Sequence, residues 1–233
     1  MDFSSLFRFP IEYLPFVLLV AMIVFTVHEF AHAFTADKFG DTTPRRMGRV
    51  TLNPVPHIDI FGLLLLVIAG FGWARPVLVN IGGFKKPKLM GIIVAAVGPI
   101  SNLIMAFLSV FLFYLFYHLG WLDKMSLGGA KALMVFLLYM ISFNFMLFFF
   151  NIIPLPPLDG YLIMRYLLPW RSIPAIEKYE QWAPVIFLLL VFIPPFRHVT
   201  IDPLFSLQWF FLDLFNIPMK LIFGHVIEWR QVL

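Results

Sequence analysis

Ile11–Thr35, Leu89–Tyr117 and Ala130–Ile153 are long apolar stretches with hardly a charge among them. Each exceeds the ~20 residues that carry a helix across a bilayer. In lipid, backbone N–H and C=O groups must be satisfied within the segment, so such stretches fold as helices. The rest of the chain agrees: 61% of its 233 residues are hydrophobic and only 13% are charged. A water-soluble domain carries roughly 45–50% apolar and about 25% charged residues. Soluble and disordered states are thus excluded, and the lipid bilayer is the expected solvent. The sequence has no cysteine, so any metal must be held by His, Asp or Glu. The formal charge is +4, but no basic face with interleaved aromatics accompanies it, so no nucleic-acid partner is expected.

Ala183–Phe196 and Leu204–Phe223 are weaker span candidates; the first ends in Pro194-Pro195, and the second contains Asp213, Asn216 and Pro218. Ile58–Ala74 is apolar but short, glycine-broken and flanked by positive charge on both sides, which predicts a re-entrant or interfacial segment. Met1–Pro10 lacks the pattern of a cleavable signal. Placing the N-terminus outside and alternating the spans puts every Lys and Arg on the cytoplasmic side except Arg8, Lys124, Lys131 and Arg197. Arg49–Asn53 and Pro76–Asn80 read as strands, the first by alternation and the second by β-branching with proline at its start. The expected fold is an all-α polytopic membrane protein. It has a three-helix catalytic core plus peripheral helices, a small membrane-associated β-hairpin and a re-entrant segment. One domain covers 1–233, with the core at about 11–168 and C-terminal helices at about 180–224.

The first span contains His28-Glu29-Phe30-Ala31-His32, the pattern H-E-x-x-H. On a helix, residues four apart share a face, so His28 and His32 can offer imidazole nitrogens to one metal ion. Glu29 is rotated by roughly 100° and reaches a water at the ion, where it is placed to act as general base. Chance would give this pattern about 0.003 times in a chain of this composition, which makes the motif specific. Ionisable residues inside a span cost ~2.5–3.5 kcal/mol each even on the lenient insertion scale, so a functional reading is the default.

A catalytic zinc takes three protein ligands and keeps one position open, so a third must come from the same depth. His28 to His32 lie ~26–32 Å below the outer end of the first span, and Asn151 about 32 Å along the third. Immediately beyond it, Pro154, Pro156 and Pro157 end any regular helix. That leaves Asp159 on broken backbone near the same level, as the expected third ligand to a single Zn2+. Such backbone at membrane depth is tolerated where it lines a wet cavity.

The chain resembles the site-2 proteases, intramembrane zinc metalloproteases that cut transmembrane helices. His28–His32, Gly40-Asp41, Gly48–Pro54, His57-Ile58-Asp59, Gly72–Val77, Asn80, Gly98–Asn102 and Asn151–Gly160 follow the family order. This covers roughly residues 26–160 and points to the compact type without PDZ or CBS domain. The resemblance implies His28, His32 and Asp159 as zinc ligands and Glu29 as catalytic base. It also implies that Asn151 positions substrate or stabilises the oxyanion. Relatives commonly carry proline where this chain has Ile60, Leu78 and Ile81, and a small residue where it has Tyr161.

Peptide hydrolysis inside a membrane requires a helical substrate to unwind, and a strand edge can replace its lost hydrogen bonds. The family is likewise thought to clamp substrate beside a small sheet. Asn53, Asn102 and Asn151 are the amides that could donate to an oxyanion, although Asn102 could equally bond a neighbouring helix. His57, His118, His198 and His225 are assigned no ligand role. The expected partners are transmembrane protein substrates within the cell membrane, with a polar path to the metal from the cytoplasmic side near Asn53 and Asp159. Two other classes compete: a metal or solute transporter, and a proteolytically silent scaffold. The first is disfavoured because broken-helix transporters show paired halves, and no second copy of either motif is present. The second is disfavoured because every catalytic residue is in place.

Overall fold

The computed structural model describes residues 8–233, so most of the Met1–Pro10 expectation lies outside the described residues. Helix α1 (Leu14–Lys38) is followed by the short α2 (Thr43–Arg46), α3 (Ile60–Ala69) and the long α4 (Pro87–His118). A single turn, α5 (Trp121–Lys124), leads into α6 (Leu127–Ile152), and α7 (Asp159–Leu167) follows a break. The C-terminal part comprises α8 (Ile173–Glu180), α9 (Ala183–Phe192), α10 (Pro194–Phe223) and α11 (Trp229–Val232). Local chemistry sets several boundaries. Proline stands in the first turn of α1, α4, α9 and α10, where its missing N–H costs nothing. The Asp59 carboxylate accepts from Gly62 N at 2.9 Å to cap α3, and Gly70 ends that helix at φ 76°, a left-handed stop that glycine adopts freely. Ser126 caps α6 through Gly129 N at 3.2 Å.

Three helices are long and apolar enough to cross a membrane: Ile11–Lys38, Pro87–His118 and Leu127–Ile152. These are the three spans anticipated from the sequence. Helix α4 lies at the centre, packed against α1, α6 and α7. Glycine and alanine on its inner face let the neighbouring elements approach, as in lipid-embedded packing generally. Helix α3 has 10 residues, about 15 Å of rise, which is half the ~30 Å hydrocarbon layer. By length it does not cross. Its Leu66 packs with Val17, Val20 and Val24 of α1 and with Phe143 of α6.

The C-terminal part differs from the expectation of two separate spans. The apolar α9 ends at Phe192, just before Pro194 and Pro195, and these open α10, whose 30 residues run on through Pro203 and Pro218. Helix α9 meets it at 88°. One end of α10 is fixed by Phe205, which packs on Phe149 and Phe150 of α6 near the metal-site level. The other is fixed by Phe223, stacked on Tyr114 and touching His118 of α4. Helix α10 thus runs once along the bundle, towards the C-terminal end of α4. Lys220 and Arg230 therefore lie towards the end that carries Lys124 and Lys131, and Arg197 towards the opposite one. The tail is tied down by Asn216, whose Oδ1 accepts from Tyr114 Oη at 2.7 Å and from Trp229 Nε1 at 2.9 Å.

The expected β-hairpin is not present: among the described residues there is no strand. Residues 49–56 form bends and turns held by their own side chains. Asn53 N donates to Thr51 Oγ1 and Val55 N to Asn53 Oδ1, both at 3.1 Å, and such local bonds compete with a ladder. Residues 71–80 carry no regular secondary structure, and several of their polar groups are engaged by side chains. Arg49 donates to the carbonyls of Pro56, Arg75 and Pro76. The alternation of 49–53 and the β-branching of 76–80 do not produce a strand pair: the first segment folds into bends and turns, and Arg49 occupies the Arg75 and Pro76 carbonyls beside the second.

Candidate metal centre

His28 and His32 sit one turn apart on α1, both buried, with Lys38 ending the helix about 9 Å beyond His32. Their Nε2 atoms are 3.1 Å apart. Asp159, the first residue of α7, places Oδ2 at 3.2 Å from each. Four ligands in a tetrahedron at about 2.0–2.1 Å stand about 3.3–3.4 Å from one another, so the triangle has the dimensions a zinc ion requires. Its donor chemistry agrees. His28 Nδ1 lies 2.7 Å from Asn102 Oδ1, and His32 Nδ1 lies 2.6 Å from the Val94 carbonyl. Each Nδ1–H is thereby committed to an acceptor, which leaves both Nε2 lone pairs facing Asp159. Asp159 Oδ2 is buried and has no hydrogen-bond donor. Three acceptors converging without a proton between them call for a cation.

Two features of α4 make this geometry possible. Gly98 faces the imidazoles, and a Cβ there would overlap His32 Nε2 and stand 2.7 Å from His28 Cε1. Pro99 brings no N–H to the carbonyl four residues back; next to that carbonyl, the Val94 oxygen is the one that accepts from His32. On the other side, Pro154, Pro156 and Pro157 interrupt the backbone between α6 and α7. Gly160 then packs directly on the Ile152 and Ile153 carbonyls, which brings Asp159 back to the level of α1.

Glu29 is buried beside the ligands, and its Oε2 accepts from Val77 N at 2.9 Å. Together with His28, His32, Asp159 and Asn151 it borders a cavity of about 580 Å³. Most of the remaining lining is apolar, including Phe71, Trp73, Phe150 and Phe187. Asn151 spends one N–H on Leu147 O at 3.0 Å in its own helix and still borders the cavity.

The other two proposed oxyanion donors need correction. Asn102 is fully buried, with Oδ1 against His28 and Nδ2 donating to Asn144 Oδ1 at 3.0 Å. It lies between His28 and a neighbouring helix and does not border the cavity. Asn53 is exposed, caps the turn at Val55 and does not border the cavity.

Several residues that reasoning from the sequence left without a role surround Glu29. Arg49 is buried among the three carbonyls named above. His57 is wholly buried, with Nε2 at 2.9 Å from the Thr51 carbonyl; burial pushes its imidazole below the usual range, against the pull of that carbonyl. Asp41 accepts from Thr43 N at 2.8 Å and Asn80 N at 2.7 Å. Burial pushes its carboxyl up, but these donors outweigh it and hold the group below the usual carboxylate range. The signal that could have found them is their membership in the quoted motifs, which gives position but no partner. Tyr161 is buried, and its hydroxyl donates to Glu180, joining α7 to α8. Burial and that carboxylate push the phenol up to about 12.

Comparison with known proteins agrees with this arrangement. Residues 124–194 match the model of peptidase family M50. The chain is 41% identical over 198 residues to "Putative zinc metalloprotease YwhC" of Bacillus subtilis, covering 85% of this chain and 89% of that protein. It is 28% identical over 225 residues to "Putative zinc metalloprotease Rip2" of Mycolicibacterium smegmatis, with coverage of 91% and 80%. The protein of the same name in Mycobacterium tuberculosis is 29% identical over 191 residues, with coverage of 77% and 68%. No solved structure matches the chain. With paired imidazoles and a carboxylate grouped for a zinc ion in a bundle of apolar helices, and this degree of identity along most of its length, the chain belongs to peptidase family M50, the site-2 protease family of zinc metalloproteases.

Proposed function

We propose that this metalloprotease is an intramembrane endopeptidase that hydrolyses peptide bonds in or near transmembrane segments of other membrane proteins. The observation that carries the reading is the meeting of His28, His32 and Asp159 with Glu29 at one cavity between helices long enough to span a bilayer. His28, His32 and Asp159 would hold a zinc ion, which would supply a Lewis acid to activate the attacking water. Glu29 takes the proton of the attacking water and returns it to the leaving amine. With Oε2 held by Val77 N–H, Oε1 is the oxygen left for that transfer. Asn151 donates its remaining amide hydrogen towards the carbonyl under attack. The 71–80 segment offers an edge to the unwound substrate. Ala74 and Leu78 make no backbone hydrogen bond there among the described residues, so they suit strand addition. Arg45, Arg46, Lys85, Lys86 and Lys88 cluster at the metal-bearing end of the bundle, which orients that end to the cytoplasm and the N-terminus outward.

The test is Glu29→Gln in purified full-length protein reconstituted in lipid, assayed for bound zinc and for cleavage of a synthetic single-span reporter peptide. Loss of the base lowers cleavage by 10²–10⁴-fold with zinc retained. Cleavage at the wild-type rate removes Glu29 from the mechanism.

A further inference from the structure

The carboxylate that takes the proton is not held by its own helix. Its only hydrogen bond to the protein among the described residues is the one from Val77 N, and Val77 lies on a segment with no strand partner. That segment is fixed from the opposite side. Arg49 Nη2 donates at 2.6 Å to both the Arg75 and Pro76 carbonyls, the two that immediately precede the Val77 amide, and Nη1 donates to the Pro56 carbonyl. Arg75 N donates to His57 O at 2.8 Å, and three residues beyond Val77 the Asn80 amide is taken by Asp41. Arg49 is only 3% exposed, and no carboxylate forms an ion pair with it among the described residues. A buried guanidinium with no carboxylate in contact is costly. Carbonyls turned towards it from two separate segments are what offset that cost, and the rigid planar fork allows one side chain to serve them together.

We propose that Arg49 is a positioning residue for the hydrolysis: by gripping the carbonyls of Pro56, Arg75 and Pro76 it aims the Val77 N–H at Glu29 and so sets the orientation of the base. The peptide plane joining Pro76 to Val77 carries both groups. Its carbonyl oxygen is the atom Arg49 holds and its N–H is the atom Glu29 accepts, so rotation of that plane moves both together. Arg49 touches neither the metal ligands nor the cavity, and lysine cannot replace it, since a point ammonium lacks the fork that spans these acceptors.

This inference rests on Glu29 being the base, and the experiment separates the two. Arg49→Lys and Arg49→Gln are made in the full-length protein in lipid. Zinc content, hydrogen exchange of peptides covering 71–80, and kinetics on the same single-span reporter peptide are measured. Both variants retain zinc, and the 74–80 amides exchange at least tenfold faster while α4 and α6 are unchanged. In Arg49→Lys, kcat falls on the order of 100-fold, as for an angstrom-scale misplacement of a reacting group, and any rise in KM is smaller than that loss, since the same segment also faces substrate. Glu29→Asp combined with Arg49→Lys is no slower than Glu29→Asp alone within about threefold, because both act through one carboxylate. Unchanged exchange in the strap overturns the proposal, as does a rise in KM at constant kcat or multiplication of the two losses. Full cleavage by Glu29→Gln, by contrast, removes the base assignment itself, whatever the exchange data give.

Discussion

Replacing Gly98 by alanine separates helix stability from metal binding in sign. In an ordinary helix interior, glycine to alanine stabilises by roughly 1 kcal/mol. Here the added Cβ stands 2.5 Å from His32 Cε1 and 2.7 Å from His28 Cε1, and overlaps His32 Nε2. Ordinary contact begins at 3.4 Å, so the His32 ring must retreat by more than 0.9 Å or α4 must move away by as much. Metal–ligand distances tolerate only about ±0.2 Å. Neither escape preserves the site: retreat of the ring pulls Nε2 out of the triangle, and movement of α4 withdraws the Val94 and Asn102 oxygens that fix both tautomers. The expected outcome is a folded, metal-poor protein. Zinc affinity, measured by competition with a chromogenic chelator in lipid nanodiscs, falls by at least 100-fold, about 2.8 kcal/mol at 1.4 kcal/mol per decade. The thermal midpoint of the metal-free protein is unchanged or higher. Affinity within threefold of wild type would refute the claim that Gly98 is there to admit the imidazoles.

Asn102→Leu removes the acceptor from His28 and the donor from Asn144 in a fully buried place. Losing such an outer partner typically costs 10–100-fold in metal affinity, readable in the same chelator competition, with a lower thermal midpoint from the two stranded polar groups. The Asp41 carboxyl is held below its usual range in the folded protein, so its contribution to stability is present above the unfolded value of ~3.9 and is lost as pH falls through the folded one. Asp41→Asn should therefore loosen the 71–80 segment at pH 7 and flatten its acid dependence below about pH 4, followed by hydrogen exchange of that peptide.

How much of this was legible in the chain depends on how local each requirement is. His28, Glu29 and His32 need only helical spacing, and spacing is written in the sequence. Asp159 could be found although 131 positions separate it from His28, because three prolines force the backbone to break at one depth and only one carboxylate follows there. Residues 76–80 show the opposite case. Their β-branched pattern specifies an extended conformation, but whether such a segment joins a ladder depends on what meets its carbonyls, and Arg49 arrives from a turn 26 residues earlier. Asn102 was read with two possible roles, and the choice between them depended on whether His28 pointed its Nδ1 towards α4, which no pattern in α4 discloses. Pro194-Pro195 has the same ambiguity in one dimension: a proline pair suits the end of one helix and the first turn of the next equally well, and here it begins α10.

The prolines between α6 and α7 have one further consequence. They leave Asp159 on a short helix that is not a continuation of any spanning one, so an ion held by His28, His32 and Asp159 would rivet the first span to that segment. An ion that binds the folded arrangement alone deepens its free-energy well as its concentration rises. Zinc supply then decides both whether this enzyme can react and how tightly its two halves are fastened, so starvation of the metal would loosen the very joint on which cleavage depends.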